Sequence, residues 1–222
     1  MAESSRTISD PAVRRLSVYL RQLEELEREG EATISSAELA KRAGSTSAQI
    51  RKDLSVFGSF GKRGLGYSVP DLVRELREIL GLTRSWTVAL AGAGRIGAAL
   101  FEYPAFRERG FRIQAVLDSD PEKVGRVWNG IEVEDAGRLT EVCRRVRAEI
   151  GILAVPSAEA QSVAERFAAA GVGGLLNFAP VSLRVPWGVV VNDVNMAVEL
   201  EALSFALVSQ GDEASGGGRG RT

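Results

Sequence analysis

The sequence predicts an α/β protein: an N-terminal winged helix-turn-helix, a Rossmann domain with a doubly wound parallel sheet, and a C-terminal dimerisation helix. Three observations predict this fold. Two capping-box signals open short helices in the first 81 residues, a glycine-rich motif follows an apolar strand, and a strongly apolar helix comes last. The predicted boundaries are 1–81 for the winged helix, 82–194 for the Rossmann domain, 195–209 for the dimerisation helix and 210–222 for a disordered tail.

The N-terminal part predicts a helix-turn-helix. Its first helix begins at Asp10-Pro11, a cap and first-turn signal, and repeats leucine at three- and four-residue steps. Ser35 with Glu38 forms a capping box that opens a second helix, and Thr46 with Gln49 forms another that opens a third. Two short helices joined by a tight glycine-containing turn are typical of a helix-turn-helix, in which the second of the two contacts the bases of DNA.

Basic residues concentrate in this part of the chain. Residues 41–66 carry six basic side chains against one acid, a net charge of +5, although the formal net charge of the whole chain is −1. The glycine-rich segment after the third helix predicts a β-hairpin wing. A basic face favours a polyanionic partner, while a solvated basic surface is the alternative. The predicted DNA contacts are Ser47, Arg51 and Lys52 on the third helix and Lys62 and Arg63 on the wing.

From Trp86 the pattern changes to alternating strands and helices, which is typical of a doubly wound sheet. An apolar strand over residues 88–91 leads into a G-x-G-x-x-G motif and then a helix. These glycines permit a tight turn, a close approach of the backbone to a pyrophosphate at the helix N-terminus, and helix–sheet packing. The alternative is that the three glycines serve only the packing of the helix against the sheet and bind no ligand. The residues of this loop predicted to bind a dinucleotide are Gly92, Ala93, Gly94, Arg95, Ile96 and Gly97.

The later elements continue the alternation. Asp118 ends the second strand, 21 positions after Gly97, where an acidic side chain accepts hydrogen bonds from the adenosine ribose and repels a 2′-phosphate. This favours NAD(H) over NADP(H). Further strands are predicted at 131–133, 150–155, 175–178 and 189–191, and helices at 136–148 and 158–170.

Three other residues are candidates for the cofactor site. Tyr103 is predicted to lie on the helix after the glycines, where it would pack or line the nicotinamide; a Tyr-x-x-x-Lys pair is absent because Arg107 stands at the lysine position. Pro156 and Phe178 fall at the ends of later strands, where ligands bind in open α/β sheets. Ordinary strand-ending turns are the alternative for these two loops.

Composition excludes several functional classes. The 222 residues include no histidine, four lysines and one cysteine, Cys143, so we expect no His-based catalysis, no metal site, no internal disulfide and no catalytic residues. No apolar run approaches the roughly 20 residues that span a bilayer, and no signal peptide is evident. We therefore expect a cytoplasmic protein that is not an enzyme and does not bind membranes.

The last helix is apolar over most of its circumference, and such a helix needs cover on several sides. Packing between two subunits would provide that cover and would also pair two DNA-contacting domains. Packing against its own domain is the alternative.

With these motifs in order, the chain resembles the redox-sensing transcriptional repressor family Rex. The resemblance covers residues 11–207 and rests on the segment SSAELAKRAGSTSAQIRKDLSVFGSFGKRGLGYSV and on the segments ALAGAGRIG, AVLDSD, ILAVPS, LLNFAP and AVELEALSFAL. It implies a homodimer that binds palindromic operator DNA, with NADH releasing the DNA and NAD⁺ permitting binding.

The resemblance also implies roles for particular residues. Gln49 joins the predicted major-groove contacts, although one side chain cannot both close a capping box and contact a base. Arg15 is implied to join an interdomain network. Where the family usually has aspartate before the last helix, this chain has Asn195, with Asp193 two residues earlier.

The function predicted from the sequence is therefore a DNA-binding repressor that senses the NADH/NAD⁺ ratio. An NAD-dependent oxidoreductase with an accessory domain is a rival, disfavoured by the missing histidine and the missing substrate domain. A repressor that senses another adenine ligand, such as coenzyme A or NADP(H), is a third possibility; Asp118 argues against NADP(H).

Overall fold

The chain divides into two units, residues 1–84 and 85–222. The computed structural model describes residues 9–57, 61–62 and 66–216. The first unit contains, in chain order, α1 (Asp10–Glu29), β1 (Thr33–Ile34), α2 (Ser36–Ala43), α3 (Ser47–Ser55), β2 (Gly61–Lys62), β3 (Gly66–Ser68) and α4 (Val69–Ile79).

Capping residues set the starts of α2 and α3, as predicted. The Ser35 hydroxyl accepts the Glu38 N–H at 3.1 Å, and the Thr46 hydroxyl accepts the Gln49 N–H at 3.1 Å. Each bond satisfies a helix N–H that has no partner within the helix. Between the two helices, Gly44 adopts φ 62°, the left-handed conformation that ends α2.

Apolar side chains spaced along one face of each helix meet in the core of this unit. The leucine repeat of α1 is buried against α2, α3 and α4, and complete burial of such a side chain stabilises the fold by about 1.5–3 kcal/mol. The largest fully buried side chains of the unit are Leu16, Tyr19, Leu20, Leu23, Leu39, Ile50, Leu54, Leu72 and Leu76.

The predicted wing has a third strand that the sequence did not reveal. In the sheet order β1-β3-β2, both pairs are antiparallel, and Ile34 in β1 pairs with Tyr67 in β3. At Gly66, φ is 79° and a Cβ would lie 2.4 Å from the Ile34 carbonyl oxygen, so only glycine fits there. The sequence signal for β1 is weak because the strand has two residues.

The second unit is a mainly parallel sheet of order β10-β9-β8-β4-β5-β7-β6, in which only the edge pair β6–β7 is antiparallel. The chain leaves β4 towards β5 on one side and returns to β8 on the other, so the carboxyl end of β4 is the switch point of the sheet. The elements are β4 (Trp86–Ala91), α5 (Arg95–Phe101), α6 (Pro104–Glu108), β5 (Phe111–Asp118), β6 (Val127–Trp128), β7 (Ile131–Asp135), α7 (Leu139–Val146), β8 (Ile150–Leu153), α8 (Ser157–Ala169), β9 (Gly174–Asn177), β10 (Val190–Asp193) and α9 (Met196–Gly216).

The position predicted for Tyr103 is wrong. The helix after the glycines ends at Phe101, and Tyr103 lies in the break before α6 with φ −68° and ψ 110°. Pro104 is the physical reason, because a proline disfavours helical geometry in the residue before it.

The last helix, α9, exposes its apolar side chains. Asn195 caps it, since its side-chain oxygen accepts the Ala197 N–H at 3.0 Å, a role that asparagine and aspartate fill equally well. The helix continues to Gly216, past residue 210 where a tail was predicted, and residues 217–222 lie outside the described residues. The exposed apolar residues are Met196, Val198, Leu200, Leu203, Phe205, Leu207 and Val208.

Candidate functional site

The glycine loop between β4 and α5 needs two of its three motif glycines for its own shape. Gly92 has φ 101°, and a Cβ there would lie 2.3 Å from the Ala154 carbonyl oxygen. A Cβ on Gly97 would lie 1.9 Å from the Gly92 carbonyl oxygen. Gly94 differs, because a Cβ there has no atom within 4 Å and the backbone is extended, with φ −85°. Nothing in the described part of the chain requires glycine at position 94.

A cavity of about 750 Å³ opens beside Gly94 at the carboxyl ends of the central strands. Its volume is in the range of small-molecule and cofactor sites. Of the predicted cofactor residues, the structure places Gly92, Gly94, Arg95, Ile96, Asp118 and Pro156 on its wall.

The other four predicted cofactor residues do not line this cavity. Ala93 is buried in the loop, and Gly97 is buried in the first turn of α5. Tyr103 lines a separate cavity of about 590 Å³, where its ring makes an edge contact with Phe106 at 5.2 Å. Phe178 packs in the core on strand residues such as Leu90, and its N–H donates to the Leu153 carbonyl oxygen at 2.9 Å.

Asp118 anchors the glycine loop. One carboxylate oxygen accepts the Ala93 N–H at 2.6 Å, and the other accepts the Asp120 N–H at 2.8 Å. The Lys123 ammonium lies 3.2 and 3.3 Å from these oxygens and 3.4 Å from Asp120. Burial disfavours the charged ammonium, but the contacts with Asp118 and Asp120 outweigh that cost and raise the pKa of Lys123.

Sequence reasoning missed several residues on the cavity wall. Lys123 could have been found, because a lysine five positions after the strand-ending acid can reach back to it. The cavity is also lined by Ala136 and Gly137, from a short 3₁₀ helix after β7 (Ala136–Arg138), and by Glu159 and Arg166 from α8. No local motif marks these positions.

Asn177 links the end of β9 to the start of α9. It is fully buried, and its side chain accepts the Ala179 N–H at 3.0 Å and donates to the Val181 carbonyl oxygen and the Asp193 carboxylate at 2.9 and 2.8 Å. The main-chain carbonyl oxygen of Asn177 accepts the Val194 N–H at 2.8 Å. The NFAP loop is therefore fixed to the residues that precede α9.

The exposed face of α3 is a candidate nucleic-acid surface. Arg51 and Lys52 lie on it as predicted, and Arg51 also donates to the Ser36 hydroxyl at 3.0 Å, while Ser47 is partly buried. Lys62 belongs to strand β2, and Arg63 lies outside the described residues.

A buried carboxylate holds α3 against α1. Asp53, with 5% of its side chain exposed, receives two hydrogen bonds of 2.7 Å from Arg15 and one of 2.9 Å from Tyr19. Gln49 donates to it from one turn earlier at 2.7 Å. The Arg15 guanidinium holds the pKa of Asp53 below its usual value, against the opposing effect of burial. Arg15 is thus engaged within the first unit, and its implied role in an interdomain network stays a prediction.

The single thiol is buried. Cys143 is 1% exposed, and burial raises its pKa to about 11. A thiol that is neither ionised nor accessible reacts slowly.

We expect Cys143 to resist alkylation in the native protein at neutral pH, at a rate at least about a hundredfold below that of the unfolded chain. Iodoacetamide labelling followed by mass spectrometry, with and without denaturant, measures both rates. Complete labelling of the native protein within minutes would contradict the buried position.

Among the described residues, no group of three His, Cys, Asp or Glu side chains is placed to hold a metal ion. None of the described helices has the length and apolar character required to cross a membrane.

Comparisons with known proteins match both units. A family model described as "Putative DNA-binding protein N-terminus" matches residues 7–55, and one described as "CoA binding domain" matches residues 83–181. The chain is 48% identical to the redox-sensing transcriptional repressor Rex of Desulfitobacterium hafniense, over 89% of this chain and 94% of that relative. It is 50% identical to the protein of the same name from Carboxydothermus hydrogenoformans, over 89% of this chain and 95% of the relative.

Solved structures show the same likeness. A crystal structure of RSP in complex with β-NAD⁺ and operator DNA is similar with a TM-score of 0.88 and 34% identity, covering 98% of this chain and 100% of that one. A crystal structure of RSP with β-NADH gives a TM-score of 0.86 and 33% identity, covering 96% of this chain and 99% of that one.

Proposed function

Since the chain belongs to the family of redox-sensing transcriptional repressors named Rex, we propose that it binds operator DNA as a homodimer and releases the DNA when NADH binds. Relatives in this family bear the repressor name, and RSP has been crystallised with NAD⁺ and operator DNA and with NADH. The winged helix is the DNA-binding unit, and the cavity beside the glycine loop is the dinucleotide site.

The observation that carries this proposal is the space at Gly94. Two motif glycines are required by the protein's own backbone, whereas the third faces an open cavity and leaves room for a ligand to approach the backbone. A pyrophosphate needs that approach, because backbone N–H groups must reach its oxygens. The residues that would hold the dinucleotide are Gly92, Gly94, Arg95, Ile96, Asp118 and Pro156.

Asp118 favours NAD(H) over NADP(H). Each of its two oxygens accepts one backbone N–H and contacts Lys123 at 3.2–3.3 Å, so a ribose hydroxyl would bind Asp118 by taking the place of a lysine contact. With Asp120 and Lys123 nearby, the local charge of these three side chains is −1, which opposes a 2′-phosphate.

Redox sensing requires that the two forms of the ligand bind the two states of the protein with different affinities, because an indifferent ligand shifts no equilibrium. The oxidised nicotinamide is a planar cation and the reduced ring is neutral, so the two forms can differ in the dimer arrangement that they stabilise. An arrangement that misplaces the two α3 helices for successive major grooves releases the DNA.

Fluorescence anisotropy with a labelled palindromic operator, at fixed and stated salt, tests the proposal. We expect NADH to weaken DNA binding at least about tenfold, a coupling of ~1.4 kcal/mol, and NAD⁺ to have a much smaller effect. Equal operator affinity with saturating NADH and saturating NAD⁺ would exclude redox sensing by this chain.

We also propose that the dinucleotide is sensed without turnover. The sequence has no histidine, and the one lysine after residue 62 is Lys123, which is engaged by Asp118 and Asp120. Incubation of the protein with NADH and common 2-oxo acids is expected to leave the absorbance of NADH unchanged.

We place the DNA-binding and dinucleotide-sensing activity of this protein in the cytoplasm, where DNA and the dinucleotide pool coexist.

The homodimer is proposed to form through α9. Its apolar side chains are 52–75% exposed in the single chain, and burying such a surface between subunits supplies the favourable free energy for association.

We expect Leu203→Glu to convert the dimer to a monomer and to weaken operator binding at least about tenfold, because two linked half-site contacts become independent. Sedimentation velocity and anisotropy measure the two effects. The control is Glu201→Lys, which changes a charge on the same helix. A Leu203→Glu protein that remains dimeric would show that α9 is not the interface.

A further inference from the structure

We propose that the base-contacting face of α3 consists of Ala48, Arg51 and Lys52, and that the Ala48 methyl group contacts the 5-methyl group of a thymine. This rests on the proposed function, since it names the side chains by which the same DNA-binding unit recognises sequence. It replaces Gln49, which the family resemblance had implied as a base contact, with its neighbour Ala48.

Exposure along α3 defines this face. Ala48, Arg51, Lys52 and Ser55 are all exposed, and their spacing of three, four and seven positions puts them on one side of a helix. The opposite side is the buried face of the helix and contains Ile50, Asp53 and Leu54.

Gln49 is held away from this exposed face. Its side-chain amide donates to the Asp53 carboxylate at 2.7 Å, and Asp53 is itself fixed by Arg15 and Tyr19. To turn its amide onto the exposed face, Gln49 must break a hydrogen bond to a charged, largely buried group, which is costly. Its neighbour Ala48 has no such tie.

The position and chemistry of Ala48 suit thymine. It is the second residue of α3, and the N-terminal residues of a recognition helix contact base edges. In the major groove the thymine 5-methyl group is the apolar feature that distinguishes a base pair, and alanine is one of the side chains that contact it. Alanine loses no rotamer entropy on contact, and the cations of Arg51 and Lys52 beside it suit guanine and phosphate oxygens.

The experiment is a thymine-to-uracil scan, which removes only the 5-methyl group. The probe is the palindromic duplex that the full-length protein selects from a randomised library, with uracil placed symmetrically at one thymine position of both half-sites at a time. Binding of the wild-type protein, Ala48→Gly and Gln49→Ala is measured by anisotropy at one salt concentration. Each variant is compared on thymine and uracil duplexes, so a variant that folds poorly loses affinity for both equally.

We expect uracil at one position to weaken wild-type binding about fourfold per half-site, the fold-change that corresponds to burial of one methyl group at about 0.8 kcal/mol. Ala48→Gly is expected to bind the thymine and uracil duplexes equally at that position, and Gln49→Ala is expected to keep the full preference.

Three results would overturn the proposal. They are an Ala48→Gly protein that retains every thymine preference of the wild type, a Gln49→Ala protein that lacks one, and a wild type with no preference at any thymine. Each of these leaves operator binding intact and so leaves the proposed function standing. Failure of the wild type to select any duplex would overturn both.

Discussion

An alanine in place of Gly94 is expected to weaken NADH binding on the order of a hundredfold, or ~2.7 kcal/mol, while the free energy of unfolding changes by less than about 1 kcal/mol. The added Cβ meets no protein atom within 4 Å, and the extended backbone at φ −85° accepts any residue. The added Cβ would instead occupy the space through which a pyrophosphate approaches the glycine loop.

Gly97→Ala is the matched comparison. There the Cβ would lie 1.9 Å from the Gly92 carbonyl oxygen, so this variant is expected to lose about 3 kcal/mol of stability or more. Titration of NADH fluorescence and chemical denaturation measure the two quantities for both variants. A Gly94→Ala protein that binds NADH like the wild type would show that the motif serves packing and not phosphate binding.

Replacement of Asp53 by alanine is expected to lower the free energy of unfolding by about 3 kcal/mol. The substitution removes the acceptor of hydrogen bonds from Arg15, Tyr19 and Gln49, and it leaves the Arg15 guanidinium without its partner. About a third of the Arg15 side chain is exposed, so water can solvate part of that charge and limit the loss. Operator binding is expected to fall as well, because α3 loses its polar attachment to α1.

The ion pair between Asp53 and Arg15 also predicts that the stability of the protein depends on pH. Because Arg15 lowers the pKa of Asp53 in the folded protein, the stabilisation is present above the unfolded-state pKa of about 3.9 and is lost as the pH falls through the lower folded-state value. The difference in stability between the wild type and Asp53→Asn should therefore shrink below about pH 4.

Glu141→Ala provides the control for these two predictions. Glu141 pairs with Arg138 on the surface, where 62% and 50% of the two side chains are exposed, so its loss should cost at most about 1 kcal/mol. Denaturation of all three variants at pH 3 and pH 7 makes the comparison. An Asp53→Ala protein as stable as Glu141→Ala at pH 7 would contradict the account of this carboxylate.

Local sequence signals predicted the helices, the strands and the glycine loop, because the residues that cause each of them lie within a few positions of it. The hydroxyls of Ser35 and Thr46 cap helices that begin at the next residue, each by accepting the N–H three positions ahead. The spacing of the glycines and of Asp118 marks the first strand–helix–strand unit. Family resemblance then added the palindromic operator and the opposite effects of NADH and NAD⁺ on DNA binding, which no local pattern specifies.

Contacts between distant residues could not be predicted in this way. Arg15 meets Asp53 across 38 positions, and that contact decides that Gln49 is held by a carboxylate. The error at Tyr103 has a local cause instead, because Pro104 disfavours helical geometry in the residue before it, and that signal is present in the sequence. Part of the cavity wall was missed because Arg166 reaches it from a helix far along the chain.

The central claim is that the dinucleotide site and the DNA-binding unit are energetically coupled. The most direct test is the dissociation constant of NADH, and separately of NAD⁺, measured with and without saturating operator DNA at one salt concentration. Because linkage is reciprocal, the DNA is expected to weaken NADH binding by the same factor, at least about tenfold, by which NADH weakens DNA binding, and to leave NAD⁺ binding much less affected. An NADH dissociation constant that is the same with and without operator DNA would contradict the claim.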